Sequence, residues 1–441
     1  MNELSSCAAP VECKARKNPA GRIQAHRREE AKGGQKTGRA GLLTALFLMG
    51  FTTFLNVYAT QPLLPMFRTL FHASELMVSL TVSATALAIA LTAPLIGTLA
   101  DAIGRKRVMV TAIFALALPT LLAARSENLT QLIAWRFLQG VFVPGIIAVA
   151  MAYICEESPR HLVGSTMATY VSGTVLGGFC GRFFSGLAAT RWGWHAAFVV
   201  LGALTMAGGL ATLQFLPRSH NFVRQHNARA SFRQMFAHLG NRQLLATYAV
   251  GFNVLFALVG AFTYVNFYLA DKPFHLGPTG LASVFGVYLI GSILTPYSGR
   301  VLDRIGCRRG VMWAATVAIT GMLLTLAHWL PVVILGLAMG ASGAFACQAA
   351  ASSNVGKAAG KARSSAAGLY VALYYLGGFA GSILPGFLWR QAGWAGCVAL
   401  IVCMQLATAL IAHRFWKDYD DSGSTFLTSR VMPSCANSLA G

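Results

Sequence analysis

Acidic residues are scarce in this sequence: 14 of its 441 residues are Asp or Glu, against 35 that are Lys or Arg. Charged residues of both signs make up 11% of the chain, hydrophobic residues make up 55%, and the mean hydropathy is +0.57. A water-soluble globule of this length needs a larger polar fraction. The composition predicts a membrane protein. It does not favour a nucleic-acid-binding protein, because the basic residues concentrate in tails and short loops.

Several motifs that carry chemistry are also absent. The nine cysteines form no C-x-x-C pair and have no histidine at metal-ligand spacing, so no disulfide framework and no zinc site is predicted. There is no Walker A motif, so ATP is not the expected energy source. No H-E-x-x-H motif, serine elbow with a partner histidine, or pair of carboxylates lies in an apolar run, which argues against an intramembrane enzyme. We expect no cofactor, no metal and no enzymatic activity.

Long apolar runs dominate what is present. Twelve segments are long enough to cross about 30 Å of hydrocarbon as helices. A polar stretch separates the first six from the last six. The segments lie near 41–64, 75–99, 108–124, 129–153, 163–187, 194–216, 244–269, 279–301, 311–327, 329–352, 365–389 and 395–415.

The sequence divides into two membrane bundles and three polar parts. Six-helix bundles are predicted at 41–216 and 244–415, joined by a cytoplasmic linker at 217–243. The basic stretch 1–40 is predicted to be a disordered cytoplasmic tail, and 416–441 a second cytoplasmic tail. If the loops alternate sides, Lys and Arg concentrate on one side, which places both termini in the cytoplasm.

A short turn rich in glycine and charge occurs twice, each time between two apolar runs. The copies are 202 residues apart, and a second match relates residues 170–194 to 370–394 at an offset of 200. Matches in register at two places indicate that the halves arose by duplication. The turn is Gly97, Asp101, Gly104, Arg105, Lys106 and Arg107 in the first copy, and Gly299, Asp303, Gly306, Arg308 and Arg309 in the second.

The first copy resembles the signature loop between helices 2 and 3 of the major facilitator superfamily. The resemblance extends over about residues 41–415 and implies an all-α transmembrane fold of 12 helices in two pseudo-symmetric six-helix bundles. It also implies that Asp101 stabilises the outward-open state and that both turns contribute to gating and coupling. A purely topological role for the basic turn, as an anchor on the cytoplasmic side, is the alternative.

The segment from Arg136 to Gly140 is similar to a second motif of that superfamily, Arg-x-x-Gln-Gly. An arginine inside a span is costly unless it faces a wet cavity or an acidic partner. Arg136 is therefore a candidate for conformational or proton coupling near Asp101, or for contact with an anion in the cavity. Snorkelling from a membrane face is the alternative.

The fifth span carries a glycine pattern and a second deep arginine. Gly164, Gly173 and Gly177 resemble the antiporter pattern of the superfamily's efflux branch, but Gly178 stands where Pro is usual and Arg182 where Gly is usual. A coupling role and a pure packing role remain open for the glycines. The candidates in this helix are Gly173, Gly177, Gly178, Gly181 and Arg182.

No acidic residue lies at the predicted middle of a span, while two arginines do. A cationic solute would find no partner there, so a neutral or anionic solute is expected. Because helices 1, 4, 7 and 10 line the cavity in the superfamily, polar residues on them are possible solute contacts; interhelical hydrogen bonds are the alternative. The possible cavity residues are Asn56, Gln61, Gln139, Asn253, Asn266, Gln348 and Tyr374.

These observations predict a secondary active transporter that works by alternating access, with proton-coupled efflux as the first choice. An importer or facilitated-diffusion carrier is the alternative within this class, and a non-transporting sensor or scaffold is the alternative outside it. We expect a monomer in the bacterial inner membrane. Its partners would be a small-molecule substrate, protons and the lipid bilayer, without nucleic acid.

Overall fold

The computed structural model describes residues 39–159, 161–217, 240–293, 306–358 and 363–416. Both predicted tails, apart from their edges, and most of the linker therefore lie outside the described residues. So do Gly299 and Asp303 of the second turn, and the side chain of Asp101.

The described residues form twelve helices, without a β-strand among them, so the predicted all-α fold is confirmed. Two of the helices, α11 and α12, follow each other within Arg363–Phe415 and are divided at Gly393. Eight helical segments meet the length and hydropathy expected of a membrane span. The helices are α1 Arg39–Leu70, α2 Glu75–Ile103, α3 Arg105–Ala123, α4 Leu129–Glu157, α5 Val163–Trp192, α6 Trp194–Phe215, α7 Arg242–Ala270, α8 Pro278–Ile293, α9 Cys307–Leu324, α10 Leu330–Ala358, α11 363–392 and α12 394–415.

Polar side chains mark where several helices begin. The side chains of Ser74, Asn128 and Asn241 accept hydrogen bonds from backbone N–H groups in the first turns of α2, α4 and α7. These donors have no partner within the helix, so the caps stabilise the helix starts. Helix α1 is interrupted at residues 58–60 and continues through a 3₁₀ turn at Gln61–Leu63.

Among the described residues four glycines have positive φ angles, and they form two pairs related by the repeat. Gly104 (φ 109°) and Gly306 (φ 83°) precede α3 and α9, and Gly193 (φ 87°) and Gly393 (φ 57°) precede α6 and α12. Residues with a Cβ rarely adopt this conformation. The two halves thus use the same backbone device at equivalent places.

Helix α5 lies directly against α1. A Cβ placed on Gly173, Gly177 or Gly181 would come within 2.1 to 2.2 Å of a backbone carbonyl oxygen of α1. Gly377 and Gly381 give α11 the same approach to α7, at 2.1 and 2.3 Å. Because lipid tails are as apolar as leucine, such close backbone contact is a main source of helix association in membranes.

The N-terminal half, α1 to α6, meets the C-terminal half, α7 to α12, mainly through two helix pairs, and α1 adds contacts with α7 and α8. Helix α2 packs against the α11–α12 segment, and α5 packs against α8. We call the end of the bundle that contains Arg68, Glu75 and Asp271 the outer end, after the predicted topology. The hydrogen bonds that join Gln61, Arg68 and the last turns of α5 to the C-terminal half lie toward this end.

Candidate functional site

Arg182 is a buried cation between the two halves, and its hydrogen-bond partners are neutral. It lies on α5 and is 5% exposed. Its Nε donates to Gln61 Oε1 at 2.8 Å, and its Nη1 donates to the carbonyl oxygen of Gly178 at 2.7 Å. Gln61 is held in turn, because its Nε2 donates to Thr263 Oγ1 at 3.3 Å. Among the described residues no carboxylate forms an ion pair with Arg182.

Three aromatic rings surround the Arg182 guanidinium. Its central carbon lies 5.0 Å from the ring centroid of Tyr58, 4.6 Å from that of Phe285 and 4.9 Å from that of Tyr288. Tyr58 belongs to α1, whereas Phe285 and Tyr288 belong to α8. We call these four residues the arginine–aromatic cluster. Ring faces attract cations, so the cluster joins the halves around one positive charge.

Further aromatic side chains extend the cluster into the C-terminal half. The ring of Phe262 lies 4.5 Å from that of Tyr288, centroid to centroid. Tyr374 on α11 lies close enough to Tyr58 and Tyr288 for an electrostatic interaction, and it stacks on Tyr370 at 5.8 Å. The predicted cavity residue Tyr374 therefore lies beside the arginine–aromatic cluster.

Arg136 is also buried, at 1% exposed, but four of its five N–H donors bind acceptors of the N-terminal half. Nε donates to the carbonyl oxygen of Thr81 at 3.0 Å, and the two terminal nitrogens donate to the carbonyl oxygens of Asn56 and Val57. Nη1 also donates to Gln139 Oε1. The guanidinium thus ties α4 to α1 and α2 and does not snorkel to a membrane face.

Gln139 and Asn56 continue this polar network. Gln139 Nε2 donates to Thr120 Oγ1 at 2.9 Å, and Thr120 Oγ1 donates to Asn56 Oδ1 at 3.0 Å. Asn56 Nδ2 donates to Thr205 Oγ1 at 2.8 Å. Two predicted cavity residues therefore serve as interhelical hydrogen-bond partners among α1, α3, α4 and α6.

The structure separates Arg136 from position 101, which were expected to act as a pair. Arg136 binds the Thr81 carbonyl, and residue 101 is twenty residues further along the same helix, α2. At 1.5 Å per residue this is about 30 Å. A direct pair between Arg136 and Asp101 is therefore ruled out in this conformation.

An ionic contact closes the outer end. Arg68 Nη2 donates to Asp271 Oδ1 at 2.7 Å, and Nη1 donates to Asp271 Oδ2 at 3.1 Å. Nη1 also donates to Glu75 Oε1 at 3.2 Å. Arg68 and Glu75 belong to the N-terminal half and Asp271 to the C-terminal half. The bidentate ion pair between Arg68 and Asp271 therefore holds the two halves together.

The first basic turn lies at the opposite end of α2. Gly97 is within α2, and Gly104 ends that helix. Arg105 forms an ion pair with Glu156 of α4, Lys106 donates to the carbonyl oxygen of Leu216, and Arg107 is exposed. A groove of about 1150 Å³ runs beside this turn, away from Arg182.

The remaining predicted residues take several positions. Asn266 is buried and donates to the carbonyl oxygen of Phe262 at 2.6 Å. Asn253 is buried on α7, and Gln348 is partly buried on α10. Gly178 holds Arg182 through its carbonyl, while Gly173, Gly177 and Gly181 line the contact with α1. Within the described residues no group of three His, Cys, Asp or Glu side chains is placed to hold a metal ion.

Sequence reasoning missed several residues of these contacts. Phe285 and Tyr288 were not singled out, although a tyrosine within a predicted span is a detectable signal. Arg68 and Asp271 were also missed; their opposite charges at equivalent ends of the first helix of each half were the available clue.

Comparison with known proteins agrees with this fold. A family model described as Major Facilitator Superfamily matches residues 46–294 and 269–428. An uncharacterized transporter of Buchnera aphidicola subsp. Schizaphis graminum is 32% identical over 377 residues, covering 85% of this chain and 91% of that protein. The inner membrane transport protein YnfM of Escherichia coli is 31% identical over 374 residues, covering 84% and 89%.

A solved structure gives the same architecture. The crystal structure of a bacterial homologue of the human lysosomal transporter Spinster matches with a TM-score of 0.70 at 15% sequence identity. The match covers 86% of this chain and 97% of that one. At this identity the likeness concerns the fold alone.

Proposed function

The chain belongs to the major facilitator superfamily and is a multi-pass membrane transporter, and from this premise we propose that it exports a small neutral or anionic solute in exchange for protons. Transport proceeds by alternating access, in which the halves rock about a central site. The protein acts in the inner membrane with both termini in the cytoplasm.

One observation carries the choice of solute. Arg182 is buried between the halves among neutral side chains. An uncompensated buried cation is costly in a membrane, and an anion beside it removes that cost. A cationic solute would be repelled from the same place. The site therefore favours an anion over a cation, and the aromatic lining also admits neutral solutes.

The direction rests on the sequence and on the energetics. The glycine pattern of α5 is similar to that of the efflux branch. An inside-negative potential drives anions outward, at about 2.3 kcal/mol per charge and 100 mV. Exchange for an entering proton adds the pH gradient to this driving force.

The test is flux in proteoliposomes that contain the full chain and a panel of radiolabelled organic acids and neutral solutes. An imposed pH gradient and an imposed membrane potential are applied separately. We expect solute to move against the direction of proton flow, and faster when the potential favours anion exit. Flux that ignores the pH gradient contradicts proton exchange. If the solute moves only in the same direction as the protons, the protein is an importer.

A matched pair of variants connects the flux to the site. Arg182→Gln removes the buried charge, and Arg191→Gln removes an exposed charge from the last turn of the same helix. The first variant should abolish transport of anions and the second should leave it unchanged. If both variants transport anions equally well, Arg182 does not contact the transported solute.

A further inference from the structure

We propose that the arginine–aromatic cluster is a binding site for small aromatic carboxylates, in which the carboxylate binds the Arg182 guanidinium and the aromatic ring stacks among Tyr58, Phe285 and Tyr288. This proposal rests on the proposed function for the idea that an anion binds between the halves. It narrows the class of solute to planar aromatic acids.

The first argument is the hydrogen-bonding capacity left on Arg182. A guanidinium carries five N–H donors, and a buried donor is normally satisfied. The described residues supply two acceptors, Gln61 Oε1 for Nε and the Gly178 carbonyl for Nη1. Both N–H groups of Nη2 and one of Nη1 have no protein acceptor among them. Two adjacent nitrogens with free N–H groups match the two oxygens of a carboxylate.

The second argument is the charge. Arg182 is only 5% exposed, and no carboxylate among the described residues forms an ion pair with it. The contrast with Arg136 is informative, because that guanidinium binds three backbone carbonyls and Gln139. The N-terminal half thus supplies four acceptors for the five N–H donors of Arg136, whereas the described residues supply two for those of Arg182 and leave three for a ligand.

The third argument is the nature of the walls. The rings of Phe285 and Tyr288 are stacked, with centroids 5.9 Å apart and planes 13° from parallel. Phe262 lies 4.5 Å from Tyr288. A planar ring beside the guanidinium extends this stack, and each aromatic contact adds specificity beyond buried area. A saturated ring of the same size has the same charge but lacks the flat π surface.

The position of the rings also couples binding to the rocking of the halves. Arg182, Gln61 and Tyr58 belong to the N-terminal half, and Phe285 and Tyr288 to the C-terminal half. A ligand that binds the guanidinium and stacks on α8 contacts both halves at once. Its affinity must differ between conformations in which these elements are together and apart, which is the requirement for a transported solute.

The experiment is equilibrium binding of radiolabelled benzoate to the full-length protein in nanodiscs at neutral pH, where benzoate is ionised. Two competitors separate charge from ring: cyclohexanecarboxylate keeps the charge without an aromatic ring, and benzamide keeps the ring without the charge. We expect saturable benzoate binding and about tenfold weaker competition by either compound. Equal competition by benzoate and cyclohexanecarboxylate overturns the aromatic specificity.

The variants assign the binding to the cluster. Arg182→Gln should weaken benzoate binding at least about tenfold, and Arg191→Gln should not change it. Tyr288→Leu should weaken benzoate about three- to tenfold and leave cyclohexanecarboxylate unchanged. Unaltered benzoate binding by Arg182→Gln overturns the site. If that variant does not fold, the competition on the unaltered protein and the Tyr288→Leu comparison still decide.

Proteoliposome flux separates this inference from the proposed function. Benzoate that binds at Arg182 but is not moved by any gradient contradicts transport while leaving the binding site intact. Proton-driven flux of another panel solute, together with no binding of benzoate, contradicts the aromatic carboxylate site and leaves the proposed function intact.

Discussion

Gln61 Nε2 donates to Thr263 Oγ1 at 3.3 Å, and these two residues are 202 positions apart, the same offset that relates the two glycine- and charge-rich turns. Equivalent positions of the two halves therefore touch each other. Such a contact lies close to the pseudo-twofold axis that relates the two halves. Gln61 also accepts the hydrogen bond from Arg182 Nε, so this contact positions the candidate site.

The outer ionic contact gives the first prediction, because Arg68 binds one carboxylate from each half. The Arg68–Asp271 bond joins the two halves, and Asp271→Asn weakens it. The Arg68–Glu75 bond lies within the N-terminal half, so Glu75→Gln is the matched control. We expect Asp271→Asn to destabilise closure of the outer end by about 1 kcal/mol, or roughly fivefold in population. Glu75→Gln should have little effect on closure.

Hydrogen–deuterium exchange of the chain in nanodiscs measures this closure. Peptides covering the end of α1 and the α7–α8 turn should exchange faster in Asp271→Asn than in the unaltered protein. Equal exchange in the two variants would show that the cross-half bond does not hold the outer end.

The second prediction concerns the glycines that bring α5 against α1. Gly177→Ala places a Cβ 2.1 Å from the carbonyl oxygen of Phe51, which cannot be accommodated without moving a helix. Overpacking of this kind costs about 1 to 3 kcal/mol. Gly164→Ala is the matched control on the same helix, because a Cβ there meets nothing within 4 Å. Only Gly177→Ala should lower the melting temperature in detergent, by about 5 °C.

The other half supplies an independent repeat of this measurement. Gly377→Ala meets the carbonyl oxygen of Phe252 at 2.1 Å, and Gly368→Ala meets nothing within 4 Å. A packing role predicts the same difference between these two variants. If Gly177→Ala and Gly377→Ala leave stability unchanged while transport falls, the glycines act in coupling rather than in packing.

The helices follow closely from the sequence, but their neighbours do not. Predicted segments such as 75–99 and 163–187 are found as Glu75–Ile103 and Val163–Trp192, because the length of hydrocarbon to be crossed determines the length of the apolar run. Hydropathy carries no information on how a helix is rotated or which helix it meets. The contact of Arg182 with the α8 rings therefore became visible only in the structure.

The same reasoning explains the error over Arg136. Its motif indicated an important arginine, but the sequence does not contain the depth relation between a residue on α4 and one on α2. The structure places the guanidinium beside Thr81, near the outer end, and its donors bind backbone carbonyls. The sequence placed Arg136 within a span and suggested a pairing with Asp101, whose position on α2 is about 30 Å away.

This distance makes the third prediction, that Arg136 and Asp101 act independently. Arg136→Lys loses several of the buried hydrogen bonds, and Asp101→Asn removes a charge at the far end of α2. Sites this far apart combine additively, within about 0.5 kcal/mol or twofold in rate. Proton-driven flux of the single and double variants measures the combination. A double variant whose flux equals that of one single variant would show that the two residues work as a unit.

The last prediction tests whether the first basic turn gates transport or only provides the backbone conformation that connects α2 to α3. Gly104 has φ 109° and Gly193 has φ 87°, and a Cβ on either meets nothing within 4 Å. Changing either residue to alanine therefore adds backbone strain of about 1 to 3 kcal/mol without a steric clash. The two variants should lose similar thermal stability.

The two glycines differ in their surroundings. Gly193 begins α6 at the outer end, whereas Gly104 begins α3 beside the Arg105 ion pair with Glu156. If the turn at Gly104 gates transport, Gly104→Ala should reduce flux several-fold below that of Gly193→Ala at equal amounts of folded protein. Equal flux in the two variants would assign the turn a topological role only.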